Sequence, residues 1–125
     1  MGFLKPYTEH TYALMRIVVG LLFMQHGIQK LMRVWEGAGP SLALYGAGPI
    51  ELIGGALIAV GLFTSPAAFL CSGTMAFAYF MSHAPQGFLP LLNRGELAAV
   101  YCWIFLFIAA KGSGMWSVEA ARSKS

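Results

Sequence analysis

Four long apolar runs with very few charges constrain the fold of this chain more than any other feature. The runs cover approximately residues 11–31, 48–63, 67–83 and 94–110. Of the 125 residues, 58% are hydrophobic and 10% are charged, whereas an average soluble domain has roughly 25% charged residues. So few charges cannot cover the surface of a water-soluble domain. The pattern therefore predicts an integral membrane protein in which each run forms a transmembrane helix.

The connections between the runs predict how the helices are arranged. Pro49 suits the first turn of the second helix, residues 64–66 are typical of a tight turn, and Pro85 ends the third helix. Because the later connections are short, successive helices should lie antiparallel. We therefore expect an all-α fold, a four-transmembrane-helix up-down bundle, as a single membrane domain over residues 1–125 that contacts the lipid bilayer.

Basic residues indicate the orientation of such a bundle, in which both termini share one side of the membrane. The terminal side carries Lys5, Arg16, Lys111, Arg122 and Lys124, and the opposite side carries Lys30, Arg33 and Arg94. This excess favours cytoplasmic termini in a bacterial or archaeal plasma membrane. The net charge of +3 is therefore interpreted as a topology signal and not as a nucleic-acid-binding surface.

Three local features add further expectations. Arg16 lies about one turn inside the first run, from where its side chain should extend back to the membrane surface. Gly55 and Ala59 have the spacing that lets membrane helices approach closely, and this small-residue face is compatible with a homo-oligomer. The basic tail, with Arg122 and Lys124, should be solvated.

Polar residues gather at one end of the expected bundle. In an up-down bundle, the end of span one, the start of span two, the end of span three and the start of span four lie on the same side of the membrane. The residues at these places are His26, Gln29, Lys30, Glu51, His83, Asn93 and Glu96. This convergence predicts a candidate site at one shoulder of the bilayer.

His26 is the member of this set that helix capping does not explain. It lies about five residues before the end of its run, roughly 7 Å deeper than the rim, where an ionisable side chain indicates a functional site. In contrast, Glu51, His83 and Glu96 can each be explained as charges that complement helix ends. Glu51 or Glu96 is therefore the expected partner of His26.

A His/Glu pair at this depth suits the binding of a quinone headgroup and the exchange of its protons. An imidazole exchanges protons near neutral pH, and a carboxyl group in apolar surroundings holds its proton more tightly than in water. Two His and two Glu could also hold a metal ion, although the spacing gives no specific metal signature. The sequence has no haem attachment motif, cysteine cluster or dinucleotide fingerprint, so electrons would come from a soluble redox partner protein.

Short motifs along nearly the whole chain carry a family resemblance. They are His26-Gly27-x-Gln29-Lys30, Glu51-Leu52-x-Gly54-Gly55, Gly61-Leu62-Phe63-Thr64, His83-x-Pro85-x-Gly87-Phe88, Asn93-x-Gly95-Glu96 and Gly112-x-Gly114-x-Trp116-Ser117. Together they resemble the DoxX family of small four-helix integral membrane proteins. That family name is attached to a subunit of an archaeal thiosulfate:quinone oxidoreductase and to membrane partners of redox-stress enzymes. The resemblance implies, by analogy, a quinone-linked or redox-partner role.

Two hypotheses follow. In the first, the chain is an accessory subunit of a quinone-linked redox system, and at most an oxidoreductase subunit without its own redox cofactor. His26 and Glu51 would exchange protons, and the other five residues of the set would bind the headgroup. In the second, the chain is a non-enzymatic scaffold or assembly subunit for a redox or stress-response partner, and the polar rim is a fixed hydrogen-bonded plug. A small-solute transporter gains little support, because four short spans leave scant room for a lumen.

Overall fold

The fold is all-α throughout the described part of the chain. The computed structural model describes residues 2–35, 37, 46, 48–78, 80 and 96–123, without the side chains of Val34, Glu96, Leu97 and Ser123. Its helices are α1 (Thr8–Trp35), α2 (Gly48–Val60), α3 (Thr64–Ala78), α4 (Glu96–Lys111) and the short α5 (Val118–Ser123), and a 3-10 turn over Lys5–Tyr7 precedes α1. These ranges contain no strand, which confirms that the fold is all-α.

The turn between α2 and α3 lies earlier than the sequence indicated. Residues 64–66 form the first turn of α3 instead of a loop. Proline is tolerated there because the backbone N–H that it lacks would have no hydrogen-bond partner in the first turn of a helix. The chain reverses at Gly61 and Phe63, whose φ angles are 75° and 50°. The amides of Gly61 and Leu62 both donate to the carbonyl of Leu57, at 2.8 and 2.9 Å, which caps the last carbonyls of α2.

Helices α1 and α2 pack backbone against backbone through glycine. A Cβ atom added at Gly27 would lie 2.4 Å from the backbone nitrogen of Leu52, and one added at Gly55 would lie 2.6 Å from the nitrogen of Met24. Late residues of α1 thus face early residues of α2, so the two helices are antiparallel. Gly20 faces Ala59 in the same way, at 2.7 Å, which confirms the close approach expected at Gly55 and Ala59.

The other helices are joined by aromatic packing and by small side chains. Phe23 of α1 packs against Tyr101 and Phe105 of α4, with ring centroids 5.3 and 4.6 Å apart. The Ser72 hydroxyl of α3 donates to the carbonyl of Cys102 in α4 at 2.8 Å. Gly54 of α2 leaves room for the buried thiol of Cys71 in α3, because a Cβ there would lie 2.5 Å from the sulfur. The four long helices therefore share one core.

The outer surface of this core is apolar. Large hydrophobic side chains, including Leu22, Phe69 and Trp103, are exposed, whereas Arg16 and Glu51 are buried. Within the described residues, one stretch, Lys5–Arg33, is long and apolar enough to cross a membrane, and Gly48–Val60 and Ala98–Lys111 are apolar but shorter. An apolar exterior around buried charges is the arrangement expected when lipid is the solvent.

Candidate functional site

Two of the predicted site residues, Lys30 and Glu51, form an ion pair at one end of the bundle. Glu51 lies in the first turn of α2 and is 2% exposed. The ammonium nitrogen of Lys30, near the end of α1, lies 2.6 Å from its Oε2 atom. The stem of Lys30 lies against α2 at Gly48, one turn before Glu51, where an added Cβ would be in ordinary contact with the Lys30 Cβ at 3.4 Å. We call Lys30 and Glu51 the rim pair.

The rim pair is a contact of charges between a buried carboxylate and a partly exposed ammonium. Although Lys30 is close, the Glu51 Oε2 atom has no partner with hydrogen-bond geometry among the described residues. The Lys30 side chain is 27% exposed, whereas that of Glu51 is 3% exposed, so the two partners differ strongly in burial. The carboxylate also lies within electrostatic range of the Cys71 thiol and the Tyr101 hydroxyl.

His26 does not meet Glu51 as expected. Its half-buried ring stands edge-on to Tyr101 of α4, with centroids 6.0 Å apart and an interplanar angle of 83°. Among the ion pairs of the described residues, none includes His26. The contacts of Gly27 with α2 fix the rotation of α1 so that His26 faces α4, and the longer side chain of Lys30, one turn closer to the rim, reaches Glu51.

The remaining predicted residues fall into two groups. Gln29 is described and exposed. His83, Asn93 and the side chain of Glu96 lie outside the described residues. Within the described part of the chain, no group of three or more His, Cys, Asp or Glu residues lies close enough together to hold a metal ion.

The opposite end of the bundle holds a polar site that the sequence reasoning missed. Arg16 is fully buried, so the expectation that its side chain reaches the membrane surface is wrong. Its guanidinium donates to backbone carbonyls of two segments, the end of α2 and the loop after α4. Nε donates to the carbonyl of Ile58 at 3.0 Å. Nη1 donates to the carbonyl of Ser113 and also, at 3.0 Å, to that of Met115. Nη2 donates to the carbonyl of Ala59 at 3.5 Å and to that of Trp116 at 2.7 Å. We call these five oxygens the carbonyl cage.

The loop after α4 is shaped to supply its share of the carbonyl cage. Every second residue has a left-handed backbone, with φ angles of 93° at Gly112, 69° at Gly114 and 55° at Trp116. The intervening carbonyls of Ser113 and Met115 consequently both point at the guanidinium. Glycine adopts this conformation without steric cost, which accounts for the Gly-x-Gly spacing. This spacing was the one sequence signal for the site.

The chain after the loop is docked on the bundle through residues before its basic end. Arg122, which the sequence predicts to be solvated, is exposed, and Lys124 lies outside the described residues. The amide of Glu119 donates to the carbonyl of Gly61 at 3.0 Å, and its Oε1 accepts the amide of Thr64 at 2.8 Å. The Ser117 hydroxyl caps α5 by accepting the amide of Ala120 at 3.0 Å. We call residues 112–123 the C-terminal strap. It connects the turn between α2 and α3 to the carbonyl cage.

Comparison with known proteins gives two matches. The DoxX family model matches residues 11–84, from the start of α1 to beyond α3. The chain is also 38% identical over 128 residues to an uncharacterized protein of Haemophilus influenzae, and the match covers 95% of this chain and 96% of that protein. No solved structure matches the chain.

Proposed function

Because this chain belongs to the DoxX family of membrane proteins, we propose that it is a multi-pass accessory subunit of a quinone-linked redox system. The rim pair and His26 form its proton-exchanging site. In this proposal a soluble redox partner protein supplies electrons, and the chain holds the headgroup and handles its protons. The termini face the cytoplasm, and the polar rim faces the other side of the plasma membrane.

The observation that carries the proposal is the buried carboxylate of Glu51 beside the ammonium of Lys30. The pair places a carboxylate and an ammonium 2.6 Å apart, and a carboxylate is a group that can accept a proton from a headgroup hydroxyl. Lys30 is the more exposed partner, at 27% against 3% for Glu51, so in this proposal its ammonium connects the carboxylate to the rim. His26, set against the Tyr101 ring, supplies an imidazole as the second group of the proposed site.

Binding of a short-chain quinone to the purified protein tests this function. We expect a soluble naphthoquinone to raise the unfolding temperature of the protein in detergent, because a ligand that binds only the folded state stabilises it. Glu51→Gln and His26→Ala should weaken this response. Gln25→Ala, an exposed polar substitution on the same helix, should keep it. An unchanged unfolding temperature with both naphthoquinone and benzoquinone would exclude the proposed function.

The multi-pass arrangement is tested separately. The antiparallel packing of α1 on α2 supports two crossings, and a chain with four crossings has both ends on one side. Reporter fusions at Ser125 should therefore be active on the cytoplasmic side, and fusions at Gly37 on the opposite side. Equal reporter activity at the two positions would contradict this topology.

A scaffold or assembly subunit is the second candidate, and one observation favours it. Lys30 already offsets the charge of Glu51, and the glycine contacts pack α1 on α2 without space for a ligand at that level. If the chain is a scaffold, Glu51→Gln and His26→Asn lower bundle stability and the yield of a co-purified partner. The naphthoquinone response, absent in the intact protein, then stays absent in both variants.

A further inference from the structure

We infer that the carbonyl cage is a binding site for a guanidinium cation, which the intact chain fills with Arg16, and that its occupation holds the C-terminal strap on the bundle. The site contains backbone oxygens from two segments that are far apart in sequence. Ile58 and Ala59 end α2, and Ser113, Met115 and Trp116 belong to the strap. A cation between them therefore connects the strap to α2.

The electrostatics of the cage require a cation. Five carbonyl oxygens point toward the guanidinium of Arg16, which is buried, and their negative ends repel one another. The hydrogen bonds described for the Arg16 guanidinium all go to these backbone oxygens. The carboxylate of Glu119, which is itself part of the strap, adds a favourable electrostatic interaction with the guanidinium. Without a cation, the strap would be held against α2 by fewer bonds and would bring repelling dipoles together.

The arrangement of the oxygens selects the class of cation. All three nitrogens of the guanidinium donate to the cage, and two of them donate to more than one oxygen. A planar guanidinium has donors along several edges and is weakly hydrated. It therefore suits a buried site whose acceptors come from two separate segments. An ammonium or a metal ion is a compact charge and cannot contact the oxygens of both segments along the directions in which the guanidinium N–H groups point.

The junction between α4 and the strap offers a direct measure of strap release. Lys111 ends α4, and its ammonium lies 3.0 Å from Glu9 and 5.1 Å from the centre of the Tyr12 ring. The next residue, Gly112, accepts a hydrogen bond from the Tyr12 hydroxyl at 2.6 Å. A protease that cleaves after lysine must free this segment from α1 before it can cut. The rate of tryptic cleavage after Lys111 therefore reports the population of released strap.

Chemical rescue of the full-length Arg16→Ala variant tests the inference. In detergent, we expect cleavage after Lys111 to be at least about tenfold faster in Arg16→Ala than in the unchanged protein, because several charge-assisted hydrogen bonds are lost. Methylguanidinium at millimolar concentration should restore most of the protection. Tetramethylammonium, which has the same charge and no N–H donor, should not. Cleavage sites and rates are measured by mass spectrometry of the intact fragments.

Two further variants make each outcome decisive. Arg33→Ala removes an exposed arginine from the same helix, and its cleavage after Lys111 should be unchanged with or without methylguanidinium. Arg16→Lys keeps the charge but not the fork of donors and should be intermediate. If Arg16→Ala can be purified folded only in the presence of methylguanidinium, the inference is supported. If methylguanidinium restores neither folded yield nor protection, or if tetramethylammonium works equally well, the guanidinium site is wrong.

Discussion

The Nη2 atom of Arg16 donates a hydrogen bond to the carbonyl oxygen of Trp116 at 2.7 Å, across a separation of 100 residues. This contact connects the beginning of α1 with the C-terminal strap. The two ends of the bundle thus have different polar chemistry. At the end that holds the C-terminal strap, backbone oxygens accept the hydrogen bonds of the buried Arg16 guanidinium. At the opposite end, the partly exposed ammonium of Lys30 meets the buried carboxylate of Glu51.

The two members of the rim pair should contribute unequally to stability. Lys30→Met leaves the carboxylate of Glu51 buried without a cation, and we expect a loss of about 3 kcal/mol in the free energy of unfolding. Glu51→Gln leaves an ammonium that is already partly exposed, so we expect a loss of about 1 kcal/mol. Unfolding titrations in mixed detergent micelles measure both values. Equal losses would mean that the burial of the two partners does not control the energetics.

The double variant and an exposed pair serve as controls for this prediction. Lys30→Met combined with Glu51→Gln should lose less than the sum of the single losses, because the uncompensated charge is gone. Lys111→Met breaks the ion pair with Glu9, a residue whose side chain is 52% exposed, and should cost no more than about 1 kcal/mol. A larger loss for Lys111→Met than for Lys30→Met would contradict the burial argument.

The rim pair and Arg16 differ in how far the sequence could predict them. A lysine and a glutamate that end and begin apolar runs must meet at one end of an antiparallel helix pair, so topology alone placed Lys30 near Glu51. The partners of Arg16 are backbone carbonyls, which every residue carries. Sequence patterns therefore could not identify them, and the glycines at 112 and 114 indicated only that the loop adopts unusual φ angles.

The sequence also could not show whether His26 or Lys30 is the partner of Glu51. The two residues lie one turn apart on one side of α1, so the rotation of α1 and the lengths of the two side chains together decide which of them reaches Glu51. Gly20 and Gly27 set this rotation through their backbone contacts with α2. The spacing of these glycines matches two helical turns, so it marks the contacting face of α1, but it does not identify which helix lies against that face.

Glycine-to-alanine substitutions in different helices should have effects of opposite sign. At Gly27 a Cβ would lie 2.4 Å from the backbone of Leu52, so Gly27→Ala must push α1 away from α2 and should cost about 2 kcal/mol or more. At Gly73 in α3, no atom lies within 4 Å of an added Cβ. Gly73→Ala should therefore stabilise by up to about 1 kcal/mol through helix propensity. Unfolding titrations of the two variants under identical conditions compare the signs, and destabilisation by Gly73→Ala would place a neighbour on that face of α3.

The hydroxyl of Tyr12 should stabilise the start of the C-terminal strap. It donates to the carbonyl of Gly112 at 2.6 Å, and the buried ring stands edge-on to Phe107 at 5.9 Å. Tyr12→Phe keeps the ring and removes the donor, so it should cost about 1 kcal/mol and speed tryptic cleavage after Lys111. Tyr7→Phe is the matched control, because Tyr7 is 55% exposed and its ring can keep the edge contact with His10. That variant should change the free energy of unfolding by no more than about 0.5 kcal/mol. If both variants unfold and are cleaved alike, the hydroxyl of Tyr12 does not fix the strap.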